Sequence, residues 1–284
     1  MMEIENNPGL LRGGARPRRG AMPGTNDEMR RPPVDTAITI LGNGAVRPSV
    51  GGESASILVN GHVLVDVGWC NVLHMRRFGI DPAGIDHLVI THFHHDHYMG
   101  LPQLLYFLGR GRRLTILGPA EDLRRVVDRA LAFLETDRYP GIGPSLDLVP
   151  LLPGDRFESE RFLLECIRAI HPVPALSYRF TDRVTGARFV FAGDTGPNPE
   201  LVPFAAGCSL LMHEASFGGK EAPADNPQGH SGAPDAARIA SLAKTPRLVL
   251  LHCPSGKEEE ALEAARSLHP DVIYPSEGDR IVVA

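Results

Sequence analysis

The sequence predicts an α/β fold in which two packed, mixed β-sheets carry helices on their outer faces. Short runs rich in Val, Ile and Leu recur from Thr36 to the end of the chain, at lengths that suit buried strands. After Asp194 the pattern changes from strand following strand to strand alternating with helix, a mixture that layered packing accommodates. No linker interrupts the chain after residue 33, so one domain is expected over residues 34–284. With 284 residues, 43% of them hydrophobic, the chain can bury a large core.

The elements follow in order. "TAITILGNG", from Thr36, is a β-rich run that stops at a Gly/Asn turn. "SASILVNGHVLVDVG" holds two apolar strands around Asn60–Gly61, a pair that tolerates positive φ and so closes a hairpin. A helix is expected over Asn71–Phe78, then a buried strand in "IDHLVIT", a helix in "LPQLLYFLG" and a strand in "RLTILG". In "AEDLRRVVDRALAFLE" the apolar residues return at helical spacing with charges opposite them, which marks an amphipathic helix. "SLDLVPL", "RFLLECIRAI", "ALSYRF" and "ARFVFAGD" are successive strands. The remainder alternates: "CSLLMHEAS" strand, "APDAARIASLAK" helix, "RLVLLHC" strand, "EEEALEAARSL" helix, then strands in "DVIYP" and "DRIVVA".

Net charge is −5, so no overall basic field recommends nucleic acid or an acidic membrane as partner. Residues 1–33 are rich in Gly, Pro and Arg without apolar periodicity, and a flexible or arm-like extension is expected there. No stretch approaches the roughly eighteen apolar residues of a membrane span. Arg12, Arg16, Arg18 and Arg19 precede no apolar leader segment. Cys70, Cys166, Cys208 and Cys253 lie far apart with no CxxC, as reduced, mostly buried thiols of a cytoplasmic protein would. A homodimer is left open.

The chemistry concentrates in "THFHHDH", four histidines and an aspartate directly after an apolar run. On a loop after a strand, alternate residues point the same way, so His92 and His94 can share one metal while Asp96 and His97 face a neighbouring position; His95 points away. Imidazole with carboxylate suits zinc, and also iron or manganese. Three later strand ends carry further donors: His171, Asp194 and His252. Asp66, at the end of an earlier strand, is a candidate for orienting a ligand histidine. Trp69 and Cys70 are expected under the metal loop. His62, His74, His87 and His269 are isolated, and structural or exposed positions are expected for them; whether His213 lines the site is left open.

These residues resemble the metallo-β-lactamase superfamily, whose HxHxDH signature stands here as His92, His94, Asp96 and His97, with His171, Asp194 in "AGDT" and His252 following in the family's order over about residues 36–284. The resemblance implies a four-layer αβ/βα sandwich and two divalent ions, most simply Zn2+ with Mn2+ or Fe as alternatives. His92, His94 and His171 would hold the first, Asp96, His97 and His252 the second, with Asp194 bridging. A narrower resemblance, to the ribonuclease Z-like branch, rests on "LGNGAVRPSVGGESAS", on "HEAS" (similar to a HEAT box) and on "GHSGAPDAARIA" (similar to a GHST box). It implies that His230 acts at the scissile group and that Glu214 orients it.

Two departures bear on substrate. Between His171 and Asp194 there is room only for two strands and a turn, where ribonuclease Z carries a long basic arm; and "PSVGGES" lacks the Lys/Arg-Asn pair of tRNA-processing members. The expected activity is therefore two-metal hydrolysis of a small or cyclic phosphodiester. A metal-bridging hydroxide would attack, Asp96 would accept a hydrogen bond from it, and His230 would protonate the leaving oxygen. Hydrolysis of an aryl sulfate, lactone or β-lactam, and tRNA 3′ processing, are the alternatives; nucleic acid is not the favoured partner, and a non-enzymatic binding role is the least favoured.

Overall fold

The computed structural model describes residues 35–283; the extension expected over residues 1–33 lies outside them. Strands β1 (Thr36–Gly42), β2 (Ser56–Val59), β3 (Val63–Val65), β4 (His87–Val89), β5 (Arg113–Pro119) and β6 (Ser145–Leu151) are joined by β14 (Arg280–Val283) in one seven-stranded sheet, ordered β14-β1-β2-β3-β4-β5-β6. The second sheet is β13-β12-β11-β10-β9-β8-β7. It is built from β7 (Arg156–Glu158), β8 (Phe162–Arg168), β9 (Leu176–Asp182), β10 (Arg188–Phe191), β11 (Leu210–Glu214), β12 (Arg247–Leu251) and β13 (Val272–Ile273). Both sheets are mixed: β3 to β6 run parallel, as do β10 to β13, and the other pairs are antiparallel.

Alternation along the strands decides the layering. Ile38 and Ile40 of β1 face the inter-sheet core with Phe162, Tyr178, Phe180, Phe189 and Val249. Leu41 and Leu88 face outward against α1 (Asn71–Arg77), α3 (Leu101–Leu108) and α4 (Leu123–Phe133). On the far side Val190, Leu211 and Leu248 pack under α5 (Leu201–Ala205), α6 (Ala233–Ala243) and α7 (Glu258–Arg266). This is the four-layer αβ/βα sandwich. Phe180 stacks on Phe189 at 4.9 Å between ring centroids in the middle of that core. Phe180→Ala is expected to lower unfolding stability by about 3–5 kcal/mol, read as a fall in the denaturant midpoint at constant m-value.

The hairpin closes where expected. His62 N–H donates to the Val59 carbonyl at 3.1 Å, and Asn60 and Gly61 take φ of 49° and 75°. Four short elements were not expected, because none is long enough to show a period: a 3-10 turn (Pro82–Gly84), β7, α5, and a single helical turn α2 (His95–Tyr98). The last corrects the loop expected around the histidine cluster. Met99 N–H donates to the His95 carbonyl at 2.8 Å, and Gly100 N–H to the Val67 carbonyl at 3.0 Å, so the second half of the motif is wound and its far end tied to the segment that follows β3.

Candidate metal centre

Parallel strands bring their carboxyl ends to one edge, where the predicted donors His92 (after β4), Asp194 (after β10) and His252 (after β12) sit with the two predicted orienting carboxylates, Asp66 after β3 and Glu214 at the end of β11. His92, His94 and His171 form one group. The Nδ1 of His94 lies 3.1 Å from His92 Nε2 and 2.9 Å from His171 Nε2. Asp96, His97 and His252 form a second, with Asp96 Oδ2 at 3.3 Å from His97 Nε2 and 3.2 Å from His252 Nε2. Asp194 Oδ2 stands between them, 3.9 Å from His92 Nε2, 3.3 Å from His97 Nε2 and 3.4 Å from His252 Nε2. His95 is exposed, as expected.

The rings are held from behind. His97 Nδ1 pairs with Asp66 Oδ2 at 2.8 Å, His171 Nδ1 with the Gly229 carbonyl at 2.9 Å, and His252 Nδ1 with Ser216 Oγ at 2.9 Å. Asp66 also accepts from Thr91 N–H and Thr91 Oγ, both at 2.8 Å, so its buried carboxylate is held by three hydrogen bonds. Because a carbonyl can only accept, His171 carries its proton on Nδ1 and turns a lone pair on Nε2 towards His94. His97 Nε2 is buried and makes no well-aligned hydrogen bond, although the Asp96 and Asp194 carboxylates stand 3.3 Å from it. Inward-facing lone pairs and a buried nitrogen without an aligned partner are what divalent ions among these donors would satisfy, so the residues fit such ions. Asp66→Ala is expected to weaken metal affinity about 10- to 100-fold, measured by competition with a chromophoric chelator.

Electrostatics follow from burial and mutual contact. Burial would raise the Asp194 carboxyl, but the His252 and His97 imidazoles hold it well below its ordinary value. Burial pushes His92 well below the usual imidazole range, which suits a neutral ligand. Asp66 and His252 both adopt positive φ, 57° and 52°, uncommon for non-glycine residues and costly unless the surroundings enforce them.

His230 stands at the mouth. Its Nδ1 is 2.9 Å from Glu214 Oε1 and 3.9 Å from Asp194 Oδ2. Burial would lower it, but the Glu214 hydrogen bond and charge, with Asp194, raise it to about 9. Glu214 is fixed by Thr195 N–H at 2.8 Å and Ser216 N–H at 3.2 Å. Asn226 ties down the His230 backbone at both ends, donating to its carbonyl at 2.7 Å and accepting from its N–H at 3.3 Å.

Trp69 and Cys70 do not lie under the metal loop: both are exposed. That place belongs to Gly68, where an added Cβ would stand 1.9 Å from Ser54 Oγ and 2.8 Å from the Asp96 carbonyl, leaving no room for a larger residue to follow it inward. The support comes from Glu53, fully buried. It accepts from Ser54 N–H at 2.7 Å, Trp69 N–H at 2.8 Å and Cys70 N–H, while Ser54 Oγ donates to the Asp96 carbonyl at 2.6 Å. His213 is buried, donates Nδ1–H to the Glu214 carbonyl at 2.9 Å, and lines a small cavity with His97, Asp194 and His252. His74 and His269 are buried away from the centre, while His62 and His87 are partly buried.

The profile of the Beta-lactamase superfamily domain matches residues 62–253, from the hairpin through His252. The chain belongs to that superfamily. Within the superfamily its likeness is to the ribonuclease Z branch. Ribonuclease Z of Pyrococcus abyssi is 28% identical over 87% of this chain and 95% of its own. Among solved structures, the metallo-beta-lactamase fold protein YhfI from Bacillus subtilis superposes with TM-score 0.74 at 21% identity, over 87% of this chain and 99% of its own. The short form of human tRNase Z gives 0.73 at 22%, over 87% and 99%. A diphosphatase of the PhnP family gives 0.66 at 18%, over 88% and 97%. This superfamily member is a metal-dependent hydrolase, and its fold implies divalent ions. Among the described residues no helix is long and apolar enough to cross a membrane.

Proposed function

We propose that residues 34–284 form a hydrolase domain that uses two divalent ions, zinc in the first instance, to cleave small or cyclic phosphodiesters. The His230–Glu214 pair beside Asp194 carries this reading, since a poor alkoxide leaving group needs a proton donor next to the donor set. When bound, the ions would acidify a water and neutralise charge on a phosphoryl oxygen. His92, His94 and His171 would hold one ion and Asp96, His97 and His252 the other, with Asp194 shared.

The chain's own groups do the rest. Asp66, Ser216 and the Gly229 carbonyl fix the ligand rings. Glu214 keeps the proton on His230 Nδ1 and leaves Nε2–H to protonate the departing oxygen. Asp96 accepts a hydrogen bond from the attacking water.

Substrate size is argued from the His171–Asp194 segment. It contains only β9, β10 and a tight turn in which Asp182 Oδ1 accepts from Val184 N–H at 2.8 Å. No arm projects from that hairpin to hold an RNA. The second reading, tRNA 3′ processing, is favoured by relatives named ribonuclease Z that this chain matches over nearly their whole length.

Metal analysis of purified protein, then a screen of bis-p-nitrophenyl phosphate, 2′,3′-cyclic nucleotides, aryl sulfates, lactones, nitrocefin and precursor tRNA, tests the proposal. Chelator-sensitive turnover of the phosphodiesters is expected. Efficient cutting of precursor tRNA at its 3′ discriminator, at physiological salt and substoichiometric enzyme, transfers the assignment to the second reading; turnover confined to another ester class refutes both.

A further inference from the structure

Trp69 is the only tryptophan in the chain, and it is 41% exposed. A large aromatic left in solvent is informative when it is also held rigidly. Its backbone N–H is bound by the buried Glu53 carboxylate at 2.8 Å, and its indole Nε1–H donates to the Val46 carbonyl at 3.3 Å. Both polar handles are thus occupied, and what the side chain can offer a ligand is its flat π surface.

Its place relative to the metal centre is set from two sides. The residue before it, Gly68, lies directly against the Asp96 carbonyl, and Val67 is bonded to the histidine-bearing turn at both ends, its N–H to His97 at 2.8 Å and its carbonyl from Gly100 at 3.0 Å. On the other side Val46 lies three residues from Asn43, whose carbonyl accepts from His252 N–H at 2.8 Å. The indole therefore spans two segments, each anchored on a ligand of the second donor group. Arg47, on the same exposed loop, makes no ion pair among the described residues.

We propose that Trp69 is a stacking platform for the base of a small nucleotide phosphodiester whose phosphate sits at the metal centre. This rests on the phosphodiesterase reading above and narrows it to base-bearing substrates. Stacking on one aromatic ring tolerates any base and adds affinity without adding to the chemistry, so Trp69 governs KM and leaves kcat alone.

Because no other tryptophan is present, intrinsic emission reports contact directly. Metal-loaded protein is titrated with AMP and with ribose 5-phosphate, emission being corrected for absorption, while each is also assayed as an inhibitor. AMP is expected to quench Trp69 and inhibit about 5- to 100-fold more strongly than ribose 5-phosphate, which leaves emission unchanged. Trp69→Ala should raise KM for 2′,3′-cyclic AMP by a similar factor with kcat held within about twofold, and Trp69→Phe should recover most of the loss.

Inhibition by AMP without quenching, together with an unchanged KM in Trp69→Ala, overturns the platform. Quenching by a short oligoadenylate but not by AMP moves it to a polynucleotide, and an emission shift that follows protein concentration alone moves it to a second copy of the chain; either overturns the small-nucleotide form. A wild-type protein that turns over no phosphodiester refutes the phosphodiesterase reading itself.

Discussion

Asp194→Ala is expected to abolish turnover and to leave the protein with no tightly held metal, or with one weakly held ion. Its Oδ2 lies within 4 Å of nitrogens from both donor groups: His92 on one side, His97 and His252 on the other. Removing it also leaves buried imidazoles without the anion that offsets them, and a charge stripped of its buried partner is strongly destabilising. Metal content by elemental analysis and chelator-competition titration reads the effect. Retention of two ions with affinity unchanged would show that Asp194 does not bridge.

His230→Ala is expected to keep metal and fold, because His230 is partly exposed at the mouth and both donor groups are complete without it. Turnover should fall about 10²- to 10⁴-fold for a substrate with a poor leaving group. The deficit should shrink for p-nitrophenolate, which departs without much protonation. An equal deficit for good and poor leaving groups would assign His230 to substrate positioning. Glu214→Gln should follow the same leaving-group trend more weakly, since an amide oxygen still accepts from Nδ1–H but supplies no charge.

The donor set was legible because its chemistry is written locally. "THFHHDH" needs no tertiary information to declare metal-friendly residues, and His171, Asp194 and His252 sit at strand ends that hydrophobic runs mark out. The supporting groups were not legible. Glu53 acts through the backbone N–H groups of Trp69 and Cys70, and Asn226 through the backbone of His230; a backbone partner leaves no trace in side-chain pattern. Trp69 was misplaced for a related reason. An aromatic just past a buried strand suggests a buried position, but Gly68 lets the chain pack so tightly on the metal-bearing turn that nothing of that size fits beneath it. The wound turn α2 escaped detection because four residues cannot display a period.

The two halves of the sandwich contribute unequally to the donor set and neither contributes enough. His92, His94, Asp96 and His97 follow β4 of the first sheet, whereas His171, Asp194 and His252 belong to connections of the second. A half-built molecule, with one sheet formed and its partner undocked, would offer at most a fragment of each coordination sphere. The complete donor set is thus a property of the assembled sandwich, and an ion bound by the assembled state alone would raise its population by mass action. An ion held by donors from both sheets would also act as a clamp between them, so removing it would loosen the packing of the two sheets together with the chemistry.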